Sequence, residues 1–124
     1  MGNSREIVDK TVAKKPISVI KVGGYIDITT SEELEKVIES LLSSNYYNII
    51  VDLCDVDYIS SRGWSIFLSK LKDIRDHDGD LKLACMKEAV YEVYVVLEFF
   101  WFLKVYDTLE EAISDFELGV PPMP

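Results

Sequence analysis

The chain alternates short apolar runs with longer stretches in which apolar residues recur every three or four positions. Residues 17–22 are rich in β-branched side chains and end at Gly23-Gly24, beyond which the apolar pattern resumes, so they predict a strand with a glycine bulge. Residues 48–54 form a continuous apolar run that is too short for a helix and suits a strand buried on both faces. Residues 81–85 and 103–106 predict two further short strands.

Four amphipathic stretches separate or follow these runs and predict helices. The first should begin at Thr30, with Glu33 completing a capping box, and the last has the same spacing at Thr108 and Glu111. The helices are expected at about 30–43, 60–77, 89–99 and 108–116. The third is predicted to bury one apolar face, formed by Val90, Val93, Leu97 and Phe100.

Strands that alternate with helices place the chain in the α/β class. We expect a mixed β-sheet of four to five strands with about four α-helices packed against it. The fifth strand, within residues 5–13, would form a hairpin with the first. A length of 124 residues predicts a single domain, 1–124, with a core at about 17–116.

Composition and charge limit where the protein acts. The amino terminus has no apolar segment of the kind that directs secretion, so we expect a cytoplasmic protein. The most apolar stretch, 89–105, contains charged residues and is shorter than the roughly 20 residues that cross a bilayer, so no membrane insertion is expected. The net charge of −9 disfavours nucleic acids as partners. Cys54 and Cys85 lie in apolar runs without CxxC spacing, which predicts two buried free thiols in a reducing compartment.

Few residues of this chain are suited to catalysis. His77, the only histidine, lies in a polar stretch and is expected to be a solvated turn residue. The glycine pair Gly23-Gly24 fits no phosphate-binding loop pattern. We therefore expect no enzyme activity, no cofactor and no metal. One alternative stays open, a receiver-like magnesium site formed by the acidic residues after the central strand, Asp52, Asp55 and Asp57.

A pair of serines, Ser60-Ser61, opens the second predicted helix directly after the central strand. One of them is accounted for as the N-cap, a position at which a hydroxyl side chain is favoured. The second hydroxyl lies where a phosphoryl group would be tolerated, because the unpaired N–H groups and the dipole of a helix N-terminus favour negative charge. Phosphorylation there would add a charge of about −1.5 to −2 without unfolding the domain.

The segments around these serines resemble STAS domains, and more narrowly the stand-alone bacterial anti-sigma factor antagonists. The resemblance covers about residues 17–116 and rests on the segments GGYIDI, IIVDLCDVDYIS, SSRGWSIFLSKLKDIR and VYDTLEEAISDF. It implies that a serine kinase, which is also the anti-sigma factor, phosphorylates Ser61, with Ser60 as the second choice. It also implies that a PP2C-type phosphatase removes the phosphate. The expected partner-binding residues are Asp27, Asp57, Ser60, Ser61, Arg62, Gly63 and Trp64.

Three positions differ from the family pattern: Ser60 replaces an aspartate, Arg62 a serine or threonine, and Trp64 a leucine. Arg62 could either pair with a phosphate on Ser61 or obstruct a kinase. These differences leave a second function open, that of a STAS interaction subunit without a switch, in a signalling scaffold or a lipid-transport complex. The four consecutive aromatic residues Phe99–Phe102 cannot all face one core. We therefore expect an exposed aromatic surface here, through which the chain would form a homodimer.

Overall fold

The computed structural model describes residues 16–118, which form a β-sheet with helices packed on its two faces. The strands are β1 (Ser18–Ile26), β2 (Asn48–Ile59), β3 (Asp80–Ala84) and β4 (Lys104–Tyr106). The helices are α1 (Ile28–Ser43), α2 (Ser61–Asp76), α3 (Glu88–Val96) and α4 (Leu109–Leu118), and one 3₁₀ turn follows α3 at Phe99–Trp101. The predicted α/β class is confirmed, while the strand predicted within residues 5–13 lies outside the described residues.

The described strands run parallel in the order β1-β2-β3-β4. Parallel neighbours require long crossover connections, which α1, α2 and the α3 segment supply. These three helices pack on one face of the sheet and α4 packs on the other, so the first half of β2 is buried on both faces, as its apolar run predicts. Between residues 16 and 118, no helix combines the length and the apolar character needed to span a membrane.

Strand β2 continues to Ile59, five residues beyond the strand predicted at 48–54, so the predicted end of this strand is wrong. The extension exists because β1 also continues past its bulge, where it pairs Tyr25 with Tyr58 and Ile26 with Ile59. The register shifts on both sides of this bulge, and Gly24 has a positive φ of 75°, a conformation that glycine adopts without a steric penalty.

Helix α1 begins at Ile28, earlier than predicted, because its N-cap is Asp27, three residues before the predicted cap Thr30. The Asp27 carboxylate accepts a hydrogen bond from the Thr30 backbone N–H (3.1 Å), and the Thr30 hydroxyl accepts one from the Asp27 N–H (2.8 Å). This is a capping box with threonine in the place of the predicted Glu33. One of the two hydrogen bonds of the capping box predicted at Thr108 and Glu111 is confirmed: the Thr108 hydroxyl accepts a hydrogen bond from the Glu111 N–H.

Helix α3 reaches the core through Val90 and Tyr94. The other members of its predicted apolar face, Val93, Leu97 and Phe100, are exposed, so that prediction is wrong. The helix ends at Val96 because Glu98 adopts a left-handed conformation (φ 60°) and the chain turns into the 3₁₀ segment. Helical periodicity therefore no longer describes the positions of the residues that follow.

Cys54 and Cys85 form a disulfide bond, which contradicts the prediction of two free thiols. The last paired residues of β2 and β3 are Asp52 and Ala84, so the cysteines come side by side just beyond them, with their Cα atoms 4.8 Å apart. Both are partly buried. Their separation of 31 residues gave no sign of this contact, because parallel pairing joins distant parts of the chain.

A buried ionic cluster fastens α4 to the sheet. Lys82, which is only 4% exposed, lies 2.8 Å from the Asp115 carboxylate, 3.3 Å from the Tyr106 hydroxyl and over the ring of Phe116. Tyr106 also donates a hydrogen bond to Asp115. Burial, together with this hydrogen bond, raises the pKa of Tyr106. Burial works to raise the pKa of Asp115, but the hydrogen bonds from Lys82 and Tyr106 outweigh it and hold that pKa below its usual value.

Candidate functional site

The two predicted serines lie where β2 passes into α2. Ser60 is the N-cap of α2, and its hydroxyl accepts a hydrogen bond from the Gly63 N–H at 3.2 Å. The Ser60 backbone N–H donates to the Ile26 carbonyl at 2.9 Å, which ties the start of α2 to the end of β1. Ser61 is the first residue of the helix and its side chain is exposed. One serine is thus the cap, and the other presents its hydroxyl to solvent at a helix N-terminus.

Gly63 lets the first turn of α2 sit directly on the ends of β1 and β2. A Cβ atom at this position would lie 2.8 Å from a methyl group of Ile26 and 2.8 Å from a methyl group of Ile59. Ordinary carbon–carbon contacts are about 3.5–4.0 Å. Any side chain other than hydrogen would therefore push the helix start, and Ser61 with it, away from the sheet.

Trp64, one of the expected partner-binding residues, is buried. Its ring packs against Phe67, Tyr94 and Phe99, with centroid distances of 6.1, 6.4 and 4.8 Å. Trp64 and the equally buried Gly63 thus act from the interior, by positioning the exposed residues of the first turn of α2.

Arg62 is directed towards helix α1 and forms a long ion pair with Glu35, with 3.6 Å between Nη2 and Oε1. Glu35 also lies 3.4 Å from Lys70, so its charge is shared between two cations. The Arg62 side chain is half exposed, and an exposed pair of this length contributes little to stability. The guanidinium can therefore exchange Glu35 for another anion close to Ser61.

The two predicted acidic contacts, Asp27 and Asp57, are exposed but already have partners. Asp27 caps α1, and the hydrogen bonds from the backbone and side chain of Thr30 hold its pKa below the usual value. Asp57 accepts a hydrogen bond from the Lys87 ammonium group at 2.6 Å, which raises the pKa of Lys87. The Asp27 carboxylate therefore remains charged at neutral pH.

Three exposed apolar residues that the sequence reasoning missed lie beside these groups. Tyr25 is 62% exposed, Tyr58 is 51% exposed and Ile28 is exposed at the start of α1. The β1–β2 register places the two tyrosines opposite each other, with ring centroids 5.9 Å apart. Only the pairing of β1 with the extension of β2 could have identified them. We call the exposed residues at this end of the sheet the Ser61 surface: Tyr25, Asp27, Ile28, Asp57, Tyr58, Ser61 and Arg62.

The three aspartates of the alternative magnesium site do not converge. Because β2 stays extended as far as Ile59, Asp52 is buried, whereas Asp55 and Asp57 are exposed. Asp52 accepts a hydrogen bond from the Cys54 N–H, and Asp57 pairs with Lys87. Within residues 16–118, the one group of potential metal ligands is Asp52, Cys54 and Cys85, and its two sulfur atoms are joined as a disulfide.

A second exposed apolar region lies on α3 and the turn after it. Trp101 is 71% exposed and Val96 is 75% exposed, which is unusual for side chains of this kind. Beside Phe102, a groove of about 390 Å³ is lined by Leu68, Leu71, Lys72 and Arg75. We call the exposed apolar residues of this region the aromatic surface: Tyr91, Val93, Val95, Val96, Leu97, Phe100, Trp101 and Phe102.

The fold agrees with the comparisons with known proteins. The model of the STAS domain family matches residues 10–112, and the chain belongs to this family. Within the family, the anti-sigma-B factor antagonist of Staphylococcus epidermidis is 27% identical to the chain over 85 residues, which are 68% of this chain and 79% of that protein.

Two solved structures show how widely the fold occurs. Unphosphorylated SpoIIAA, an anti-sigma factor antagonist, is 18% identical, with a TM-score of 0.72 over 95% of this chain and 99% of that chain. A sulfate transporter family protein from Wolinella succinogenes is 15% identical, with a TM-score of 0.73 over 91% of this chain and 90% of that chain. The fold is therefore shared by anti-sigma factor antagonists and by members of a transporter family, and it does not distinguish between these roles.

Proposed function

We propose that this chain is a regulator of the anti-sigma factor antagonist type, which binds an anti-sigma factor with serine kinase activity through the Ser61 surface. The observation that carries the proposal is the exposed Ser61 hydroxyl at the N-terminus of α2, beside the exposed rings of Tyr25 and Tyr58. Exposed aromatic side chains are typical of protein interfaces. The role of the relatives supports the assignment, and the chain acts by binding, in the cytoplasm, without catalysis of its own.

Phosphorylation of Ser61 would switch this binding. The kinase transfers a phosphoryl group from ATP to the Ser61 hydroxyl, and a PP2C-type phosphatase returns the serine by hydrolysis. The new charge of about −2 would stand at a helix N-terminus, where it is tolerated, and could draw the Arg62 guanidinium away from Glu35. It would also add to the charges of Asp27 and Asp57 and so repel a partner that binds beside them. SpoIIAA, which has the same fold, is known in an unphosphorylated and a phosphorylated form.

The proposal is tested by phosphorylation and binding assays with the anti-sigma kinase of the source organism. Mass spectrometry after incubation with ATP should find one phosphate, on Ser61, and none in a Ser61→Ala variant. A Ser61→Glu variant should bind the kinase at least tenfold more weakly than wild type, which corresponds to about 1.4 kcal/mol. The matched control is Ser40→Glu, which places the same charge on an exposed position of α1. A Ser61→Glu variant that binds as tightly as the control would refute the switch.

A second function is favoured by the aromatic surface, namely a constitutive interaction subunit that forms a homodimer. Phe100, Trp101 and Phe102 are each about half exposed or more, and aromatic side chains bury about 150–250 Å² each, so the three offer on the order of 300 Å². A stable interface covers about 800 Å² on each partner. The aliphatic residues of the aromatic surface can supply much of the remainder.

Sedimentation of wild type against Trp101→Ala tests this second function. We expect a dimer for wild type and a monomer for Trp101→Ala, because this variant removes the most exposed ring of the aromatic surface. Tyr25→Ala, which removes an exposed ring from the Ser61 surface instead, should remain dimeric. A wild-type protein that sediments as a monomer would exclude the homodimer and leave the switch as the function.

A further inference from the structure

The disulfide lies between the two parts of the chain that frame the Ser61 surface. Cys54 belongs to β2, and the residues after it lead along the strand to Ser60 and Ser61. Cys85 directly follows β3, and the residues after it lead into α3. The bond therefore joins the strand that ends at the candidate phosphorylation site to the turn from which α3 departs.

Besides the last strand pair, Asp52 with Ala84, and the core packing of α3, an exposed ion pair joins the same two segments. The Lys87 ammonium group lies 2.6 Å from the Asp57 carboxylate, and both side chains are about half exposed. Exposed ion pairs of this kind contribute little and are screened by salt. Without the disulfide, the ion pair and local packing would hold the end of β2 against the β3–α3 turn.

The backbone at Cys85 is held in an unfavourable conformation. Its φ of 66° lies in the left-handed region, which residues with a side chain seldom adopt. In the oxidised protein, the disulfide and a hydrogen bond from the Cys85 N–H to the Tyr106 carbonyl (2.9 Å) both constrain this residue. Breaking the disulfide removes one of the two constraints, so the turn into α3 gains freedom.

The two sulfur atoms are also placed for reversible chemistry. Both cysteines are partly buried rather than enclosed in the core, so a small thiol can reach them. The sequence predicts a cytoplasmic protein, and disulfides in that compartment are uncommon and usually serve redox sensing or catalysis. Among the described residues, Asp52 is grouped with the two sulfur atoms, and its carboxylate accepts a hydrogen bond from the Cys54 N–H.

We propose that Cys54 and Cys85 form a thiol–disulfide site whose oxidation state controls the rigidity of the Ser61 surface. In the oxidising direction, the two thiols lose two protons and two electrons to glutathione disulfide, which becomes two molecules of glutathione, and the Sγ–Sγ bond forms. In the reducing direction, two molecules of glutathione become glutathione disulfide, the Sγ–Sγ bond breaks and each cysteine regains a proton. The end of β2 and the start of α3 then separate more often. This regulation deepens the proposed function, because it acts on the surface that binds the partner.

Hydrogen exchange followed by mass spectrometry tests the site without any partner. Wild type oxidised with glutathione disulfide is compared with wild type reduced with dithiothreitol, and peptides covering 55–62 and 86–96 are followed. Reduction should increase exchange in both segments by about tenfold, because local opening is no longer limited by the covalent link. Peptides covering the carboxyl-terminal half of α1 should exchange equally in both states. A Cys54→Ser/Cys85→Ser double variant should match the reduced protein in either buffer.

Equal exchange of oxidised and reduced wild type in both segments would overturn the redox site. A double variant that still responds to dithiothreitol would also overturn it, since it has no disulfide to reduce. Neither result depends on a kinase. If reduction loosens the segments but Ser61→Glu does not alter kinase binding, the redox site stands and the proposed switch fails.

Discussion

Replacing Gly63 by alanine should destabilise the domain, although alanine is the better helix former. The added Cβ would lie 2.8 Å from methyl groups of both Ile26 and Ile59, at least about 0.7 Å closer than an ordinary carbon–carbon contact. Neither isoleucine can yield easily, because both are buried in strands and β-branched side chains have few alternative rotamers.

The size of the effect follows from two opposing contributions. Overpacking a close contact typically costs about 1–3 kcal/mol. Alanine recovers up to about 1 kcal/mol relative to glycine through its helix propensity. We therefore expect Gly63→Ala to lower the free energy of unfolding by about 1–2 kcal/mol, which corresponds to a fall in Tm of roughly 4–8 °C per kcal/mol for a domain of this size.

Thermal and urea unfolding followed by circular dichroism would measure this change. The control is Ser65→Ala, at an exposed position of α2 two residues further on, which should remain within about 0.5 kcal/mol of wild type. In an Ile59→Ala background, where the opposing methyl group is absent, Gly63→Ala should be less destabilising. The reasoning is refuted if Gly63→Ala stabilises the protein by about 1 kcal/mol, because helix propensity alone would then decide the outcome.

Three further predictions concern stability. Ser60→Ala should lower the free energy of unfolding by about 1 kcal/mol, because the N-cap hydrogen bond is lost. Ser60→Asp should not lower it, because aspartate is an equally good cap. A Ser60→Ala variant that is more stable than wild type would contradict the capping role. Lys82→Met should cost about 3–5 kcal/mol at pH 7, because it leaves the largely enclosed Asp115 carboxylate without its cation. The pKa of Asp115 is lowered in the folded state, so its ionised carboxylate stabilises the fold above the unfolded pKa of about 3.9. This stabilisation is lost as the pH falls. The free energies of unfolding of wild type and Lys82→Met should therefore converge in acid. Reduction of the Cys54–Cys85 bond should lower stability by about 3–4 kcal/mol in urea titrations, because it releases a 31-residue loop in the unfolded state.

Local sequence signals predicted those parts of the site that depend on neighbours in the chain. Ser60 is the N-cap because a hydroxyl side chain lies directly before an amphipathic stretch, and Ser61 is exposed because it follows that cap. The same kind of signal gave the wrong start for α1, where both Asp27 and Thr30 are good caps. The orientation of the preceding strand selects between them, and the sequence pattern does not contain that information.

The rest of the site arises from contacts between distant residues. Tyr25 and Tyr58 face each other only because β1 continues past its bulge and pairs there with the end of β2. Trp64 is among the expected partner-binding residues, but the aromatic side chains of α3 and the 3₁₀ turn enclose it. The exposed face of α3 could not be read from its spacing, since the helix touches the core only along a narrow stripe.

By itself, the sequence determined the α/β class, most of the helices and strands, and the place of the two serines, because periodicity and capping are properties of neighbouring residues. Only the tertiary structure decided that Cys54 meets Cys85, that Lys82 is buried against Asp115, and that Tyr25 faces Tyr58. These pairings depend on strand order and register, which bring together residues far apart in the chain, and no local pattern records which strands become neighbours.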